Sequence, residues 1–343
     1  MAESHKFRRA LFIQIKQAGD CLLSTPALRA FKKAYPDCEI DFLVGKYSTG
    51  ILQGNPSIDN LITVDNWNSF SYFKWGFKLR KQGYDIVVDF LSSPTSSKLT
   101  ILTGAKIRAG YKLKGRSWVY THLPTTTNPD DYSAKDKLRL LEPFGIKENG
   151  LSLDFYLPQE ETEKARDDIG EHMDSILAVV PVSRRIYKRW PEENYAKLLD
   201  MAVDELELMP LLLCGPGEME FLETITSKMT AKPIVREMKS FQQFGAYFSI
   251  SKMVLGNDNG PKHIAVALGI PTLTIMGHLN PLNWTEPDNP KHTFIRNEHD
   301  CQAGCQPKKC PDPKCIAGIN PEEVYEQLKQ HWQKSISDEI IPD

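Results

Sequence analysis

The chain has 343 residues, of which 41% are hydrophobic and 25% are charged, and these are the proportions of an ordinary globular protein. Its length exceeds the roughly 100 to 200 residues of one typical domain, so we expect two domains. Lysine and arginine number 42 against 44 aspartate and glutamate residues, which gives a formal charge of -2. This balance argues against nucleic acid as a partner, because proteins that bind nucleic acid usually carry a basic excess.

The first half of the chain alternates short apolar segments with longer amphipathic ones. Strands are predicted at residues 10–15, 39–44, 60–64, 84–90 and 107–111. Helical patterns lie between several of them, and a further helix is predicted over about residues 132–144, after a loop rich in Thr and Pro. This alternation is typical of βαβ units, and it predicts a parallel sheet covered on both faces.

Gly19 and Asp20 directly follow the first predicted strand and begin the first predicted helix. Glycine permits a tight turn there, and the N-terminus of a helix favours the negative charge of a carboxylate. Two interpretations follow. Asp20 faces a ligand-binding crevice and acts as a general base, or it only caps the helix, and the local sequence alone favours capping.

A basic stretch in the first half consists of Lys106, Arg108, Lys112, Lys114 and Arg116. Such cations suit the phosphate groups of a ligand. The alternative is an ordinary solvated face.

The second half repeats the alternation, with strands predicted at residues 176–181, 210–214, 233–236, 253–256 and 272–276. Helices are predicted near residues 191–204, 218–228, 241–251, 261–268 and 321–334. We expect an α/β protein of two Rossmann-like domains, 1–160 and 161–343, joined near residues 155–172. Ligands of such domains bind outside the carboxyl ends of the strands, which predicts a central crevice.

Four cations, Arg184, Arg185, Lys188 and Arg189, follow the first strand of this half, and Pro191 is the predicted start of the next helix. Positive charge at this position would stabilise a diphosphate as it leaves a sugar. The alternative is a solvated basic loop.

Two further turns predict contacts with a nucleotide. Asn259, Gly260 and His263 start a helix after a strand, where backbone N–H groups suit phosphate oxygens, and His263 beside Asp258 suits a phosphate or a ribose. Glu218 follows a glycine-containing strand end, which is typical of an acid that holds ribose hydroxyls, although helix capping is equally compatible. The glycine spacing there does not fit a dinucleotide fingerprint, so no dinucleotide cofactor is predicted.

The remaining signals concern metals and membranes. Four cysteines, Cys301, Cys305, Cys310 and Cys315, fall within fifteen residues, but their spacing fits no standard zinc pair, so reduced cysteines are favoured over structural zinc. The chain starts without a signal-peptide pattern, and no apolar run approaches the roughly 20 residues of a spanning helix. We therefore expect a cytoplasmic protein whose membrane contact is peripheral.

Taken in order, these segments resemble glycosyltransferase family 9, which includes the ADP-heptose:lipopolysaccharide heptosyltransferases. The resemblance covers about residues 7–328, and its motifs are weak singly but specific in this order. The matching positions are Gly19, Asp20, residues 25–29, 35–36, 55–59, 84–85 and 188–191, Asp258, Gly260, His263, residues 267–272, Pro281 and Trp284.

The resemblance implies a GT-B fold and an inverting, metal-free displacement, with donor bound to the C-terminal domain and acceptor to the N-terminal domain. It implies that Asp20 is the base and that Lys188 contacts the diphosphate. It assigns the sugar to Asp258, the phosphates to Gly260 and His263, and the ribose to Glu218. The absence of any Asp-x-Asp motif from the sequence agrees with metal independence.

The predicted function is therefore transfer of heptose from an ADP-sugar to the lipopolysaccharide inner core, without a cofactor. The predicted acceptor contacts are Arg108, Lys112 and Arg116. The Arg184–Arg185 pair and Asn259 depart from the family's usual residues, so a related enzyme using another nucleotide-sugar is one alternative. A non-catalytic protein that binds sugar nucleotides is the other.

Overall fold

The computed structural model describes residues 6–65, 69–126, 128–170, 175–297, 306, 309–310 and 313–339. The chain divides into two compact units, Met1–Tyr156 and Leu157–Asp343. Each unit consists of a parallel β-sheet with helices, so the prediction of an α/β protein is confirmed.

The sheet of the first unit has five parallel strands in the order β3-β2-β1-β4-β5. All five strands were predicted, and their bounds differ from the prediction by at most two residues. Their apolar residues predict strands buried on both faces, and four of the six residues of β1 have no exposed surface. The strands are β1 (Arg9–Gln14), β2 (Glu39–Gly45), β3 (Asn60–Val64), β4 (Ile86–Asp89) and β5 (Ile107–Ala109).

The helices of the first unit are α1 (Ala18–Leu22), α2 (Thr25–Ala34), α3 (Ser69–Arg80), α4 (Pro94–Leu102) and α5 (Ser133–Arg139). The helix predicted over residues 132–144 is therefore shorter than expected. A separate 3-10 turn, Glu142–Phe144, follows α5. Pro143 explains the break, because proline has no N–H to continue the helical ladder and disfavours helical backbone in the residue before it.

The sheet of the second unit has six parallel strands in the order β11-β10-β9-β6-β7-β8. Five of them match predicted strands, whereas the edge strand β11 was missed because its sequence His-Thr-Phe-Ile-Arg is short and mostly polar. The strands are β6 (Ile176–Val180), β7 (Met209–Cys214), β8 (Ile234–Glu237), β9 (Met253–Asn257), β10 (Thr272–Met276) and β11 (His292–Arg296).

The helices of the second unit are α6 (Gln159–Ile169), α7 (Glu192–Leu206), α8 (Met219–Thr226), α9 (Phe241–Ser249), α10 (Gly260–Ala267), α11 (Lys314–Ala317) and α12 (Pro321–Glu339). The predicted junction at residues 155–172 contains α6, which packs on α9. The C-terminal helix α12 packs on α7 and buries Val324, Tyr325 and Leu328 in the core of this unit. In the described part of the chain, no helix has both the length and the apolar character needed to cross a membrane.

Candidate functional site

Asp20 lies at the carboxyl end of the central strand β1. It is the third residue of the five-residue helix α1, and its side chain is 15% exposed. The residue with left-handed backbone is Gln17, at a φ of 64°, so the expectation that Gly19 makes the tight turn was wrong. Gln17, rather than Asp20, occupies the N-cap position, and no side chain caps this helix. The structure thus does not support the capping interpretation of Asp20.

The carboxylate of Asp20 is paired with a lysine that is distant in sequence. The Nζ atom of Lys137 lies 3.3 Å from Oδ1 of Asp20, and the Lys137 side chain is only 5% exposed. Lys137 belongs to α5, which packs on α2, the helix that follows α1. A nearly buried ammonium needs a partner of opposite charge, so this pair holds the Asp20 carboxylate in place.

Cys21, the neighbour of Asp20, is not a candidate nucleophile. Its thiol is fully buried and donates to the carbonyl of Gln14 at 3.3 Å. Burial raises the pKa of the Cys21 thiol, and the negative charge of Asp20 raises it further. The thiol therefore stays protonated at neutral pH.

The three predicted acceptor contacts differ in whether their side chains are hydrogen-bonded to the protein itself. Arg108 donates through Nε to the carbonyl of Val119 and through Nη1 to that of Ala105, each at 2.6 Å. Arg116 donates through Nε to the carbonyl of Ser92 at 3.2 Å. Both arginines thus hold the loop after β5, whereas the side chain of Lys112 is exposed.

In the second unit, buried contacts fix the loop that carries Lys188. Trp190 is fully buried, and its indole Nε1 donates to the carbonyl of Ile319 at 3.0 Å. Its backbone N–H and the hydroxyl of Tyr195 both donate to Oδ1 of Asn257, at 3.4 and 3.1 Å. Because Asn257 ends β9, these bonds attach the basic loop to the turn that contains Asp258.

Lys188, Asp258 and Lys262 form one ionic cluster, which we call the Lys–Asp–Lys cluster. Nζ of Lys188 lies 2.6 Å from Oδ2 of Asp258, and Nζ of Lys262 lies 3.4 Å from Oδ1. Burial alone would raise the pKa of Asp258, but the charges of Lys262 and Lys188 outweigh it and lower the pKa to about 2. With two cations and one anion, the cluster carries a net positive charge that suits a phosphate ligand.

The turn that starts α10 is organised partly by its own side chains. Oδ1 of Asn259 accepts from the backbone N–H of Lys262 at 3.0 Å, and Nδ2 donates to the carbonyls of Val180 and Val182. Asn259 thus caps the helix, and Gly260 and His263 lie in its first turn. Fewer backbone N–H groups are available here than the sequence predicts, because Pro261 has none and that of Lys262 donates to Asn259.

Glu218 occupies the N-cap position of α8, but its side chain makes no capping bond to that helix. Instead, Oε2 accepts from the backbone N–H of Gly215 at 2.9 Å. A second acid, Glu237, accepts from the N–H of Gly217 at 2.9 Å and ends the neighbouring strand β8. The glycine turn therefore lies between two carboxylates at the same edge of the sheet.

Sequence reasoning missed three residues of these sites. Lys262 has a local signal, because it follows Asp258 by four residues on a helix. Lys137 is 117 residues from Asp20, and a single sequence contains no signal for that pairing. His278 was missed as well; its ring lies 5.4 Å from that of Tyr187, and burial and the charge of Lys188 lower its pKa.

The four C-terminal cysteines were the candidate metal ligands, although reduced cysteines were favoured there. Cys301 and Cys305 lie outside the described residues, whereas Cys310 and Cys315 lie within them. Among the residues described, no three His, Cys, Asp or Glu side chains are grouped as ligands of a metal ion.

The chain is similar over most of its length to known heptosyltransferases. It is 26% identical over 289 residues to lipopolysaccharide heptosyltransferase 3 of Escherichia coli K12, covering 78% of this chain and 81% of that protein. The glycosyltransferase family 9 structure from Veillonella parvula matches with a TM-score of 0.83 at 21% identity, covering 97% of this chain and 99% of that one.

A heptosyltransferase of E. coli with ADP-2-deoxy-2-fluoro heptose also has this fold. It matches with a TM-score of 0.69 at 17% identity, covering 94% of this chain and 99% of its own. The fold is therefore the GT-B type that the sequence predicts. The model of glycosyltransferase family 9 (heptosyltransferase) matches residues 72–316. The chain accordingly belongs to glycosyltransferase family 9, the heptosyltransferases.

Proposed function

We propose that this chain transfers heptose from ADP-heptose to the inner core of lipopolysaccharide, with inversion at the anomeric carbon and without a metal ion. The observation that carries the proposal is the Lys–Asp–Lys cluster, which supplies fixed positive charge at the carboxyl edge of the second unit's sheet. The relative from E. coli K12 is named a lipopolysaccharide heptosyltransferase, which supports heptose as the transferred sugar and lipopolysaccharide as the acceptor class.

The donor diphosphate is proposed to bind at this cluster and at the start of α10. Lys188 is 21% exposed and can contact a ligand, whereas Lys262 is 6% exposed and acts through its charge. Gly260 and His263 are proposed to contact phosphate oxygens, and Asn259 shapes the turn because its side chain is already bonded to the protein.

The remaining donor contacts are assigned by chemistry. Glu218 is proposed to accept from the ribose hydroxyls, through the carboxylate that Gly215 already orients. Asp258 is proposed to orient the heptose, while it keeps Lys188 and Lys262 in place. Both acids are acceptors of hydrogen bonds, which is what hydroxyl-rich ligands require.

The transfer step is proposed to use Asp20 as general base. One carboxylate oxygen of Asp20 takes the proton of the acceptor hydroxyl as that oxygen bonds to the anomeric carbon. The bond from the anomeric carbon to the diphosphate breaks on the opposite face, and ADP leaves with the electron pair. Lys188 stabilises the charge that grows on the leaving diphosphate, so fixed protein charges do the work that a metal ion does in other transferases.

The acceptor is proposed to be a lipid-linked saccharide bound by the first unit at the cytoplasmic face of the inner membrane. Lys112 is the strongest candidate for a phosphate contact, because its ammonium is exposed. Arg108 and Arg116 each have further guanidinium N–H groups besides those bonded to backbone carbonyls. These groups are proposed to contact the acceptor from the positions that the backbone bonds fix.

The proposal is tested by measuring ADP release and heptosylated product with purified protein, ADP-heptose and heptose-deficient core acceptors. Turnover that requires both substrates is the expected result, and parallel reactions with UDP- and GDP-sugars should be slow. Efficient transfer from another nucleotide-sugar, with none from ADP-heptose, would contradict the donor assignment.

A further inference from the structure

Helix α3 presents an aromatic face to solvent. Phe73 and Phe77 are 63% and 68% exposed, although phenylalanine is usually buried. They are four residues apart on one helix, so they lie side by side on the same face. Two neighbouring phenylalanines in water are an unfavourable arrangement unless another apolar phase covers them.

Several other residues of α3 are packed, which keeps this face outward. Leu79 is 1% exposed in the core of the first unit, and Tyr72 and Trp75 pack against the same core. Gly76 contacts α4 so closely that a methyl group at its Cα would lie 2.7 Å from Leu102. Rotation of α3 to bury the phenylalanines would therefore break an existing interface.

The charged residues of α3, and Lys81 directly after it, are all positive. Lys74, Lys78 and Lys81 are exposed. From residue 66 to residue 84 the sequence contains no aspartate or glutamate. Nζ of Lys78 lies 4.6 Å from the ring centre of Trp75, which holds its charge at the edge of the face.

We propose that α3 is a membrane-contacting helix that lies in the surface of a bilayer containing anionic phospholipids. The phenylalanines would insert among the acyl chains near the headgroups, and the lysines would pair with lipid phosphates. A protein partner would need an acidic rim around an apolar pocket, whereas an anionic bilayer provides both features over its whole surface. This proposal does not depend on the transfer reaction, although it would bring the first unit to a lipid-linked acceptor.

The test is sedimentation of the full chain with vesicles of phosphatidylglycerol and phosphatidylcholine in equal parts, against vesicles of phosphatidylcholine alone. We expect binding to the anionic vesicles that weakens as salt is raised. Replacing both phenylalanines, Phe73→Ser with Phe77→Ser, should lower partitioning by about tenfold or more. The matched control, Ile186→Ser with Leu282→Ser, removes two exposed apolar side chains from the second unit and should bind like the wild type.

A second variant pair, Lys74→Glu with Lys78→Glu, tests the charge separately and should abolish the preference for anionic vesicles. Equal binding of the wild type and both α3 variants would overturn the proposal. So would loss of self-association in the phenylalanine variant with vesicle binding unchanged, because the face would then join two copies of the chain. No sugar donor is present in these assays, so a negative result leaves the proposed transfer untouched.

Discussion

Nζ of Lys137 lies 3.3 Å from Oδ1 of Asp20, and the two residues are 117 positions apart in the chain. The lysine is nearly buried and the carboxylate is partly exposed. The pair thus fixes one oxygen of Asp20 from the protein side and leaves the carboxylate accessible to a ligand. In the proposed reaction, Lys137 is a positioning residue that acts through Asp20.

Lys137→Met should slow turnover by roughly 10- to 100-fold, because a carboxylate without its partner is less well oriented toward the acceptor hydroxyl. The measurement is turnover, beside the melting temperature.

Lys137→Arg is the conservative control, since it keeps the charge and should recover much of the activity. A folded Lys137→Met protein with normal turnover would show that the pair only stabilises the fold.

Lys188→Ala should reduce turnover by roughly 10- to 1,000-fold, the range found when one electrostatic stabiliser of a transition state is removed. The free energy of unfolding should change by only about 1 kcal/mol, because Asp258 keeps Lys262 as a partner. Steady-state kinetics and thermal unfolding measure the two effects. Arg184→Ala, in the exposed part of the same loop, is the control, and an equal loss in both variants would mean that overall loop charge matters rather than Lys188.

Asp258→Asn should destabilise the second unit at neutral pH by roughly 3 kcal/mol, because it leaves the buried ammonium of Lys262 without an anionic partner. The folded pKa of Asp258 is about 2, below the ordinary value of 3.8. The contribution of the Asp258 carboxylate to the free energy of unfolding is therefore complete above pH 3.8 and is lost as the pH falls through about 2.

Unfolding free energies of wild type and Asp258→Asn, measured across this range, should differ at neutral pH and converge in acid. A difference that stays constant down to the lowest pH would show that the charge of Asp258 is not what stabilises the unit.

The sequence predicts the strands better than the contacts between distant side chains. Ten of the eleven strands in the described part of the chain follow from apolar runs bounded by turn residues. The one missed, β11, has little apolar character. Strand order was not predicted, because it depends on crossover connections that a local pattern does not contain.

In the candidate sites, too, the positions of residues along the chain were easier to predict than their contacts. Asp20, Lys188, Glu218 and Asp258 were predicted as site residues because ligand-binding residues of parallel sheets follow the ends of strands, and their roles stay predictions. Local geometry was less predictable. The residue with left-handed backbone is Gln17 rather than Gly19. The side chain of Asn259 is bonded to the backbone of its own unit. The partner of Asp20 depends on how α5 packs, and packing of that kind is set by the whole unit.

Chelation should leave activity intact if fixed protein charges stabilise the leaving diphosphate. The Lys–Asp–Lys cluster carries a net positive charge, and the sequence lacks the Asp-x-Asp motif. Turnover is measured after EDTA treatment and again after adding Mg²⁺. Loss of activity with EDTA and recovery with Mg²⁺ would mean that a metal ion carries the charge instead.

The most direct test of the account is the turnover of Asp20→Asn with ADP-heptose and a core acceptor, measured beside its melting temperature and its affinity for the donor. Asparagine keeps the size of the side chain but removes both the base and the anionic partner of Lys137. We therefore predict a folded but less stable protein that binds donor normally and turns over roughly 100- to 10,000-fold more slowly. Near-normal turnover by a folded Asp20→Asn protein would contradict the assignment of Asp20 as the proton acceptor.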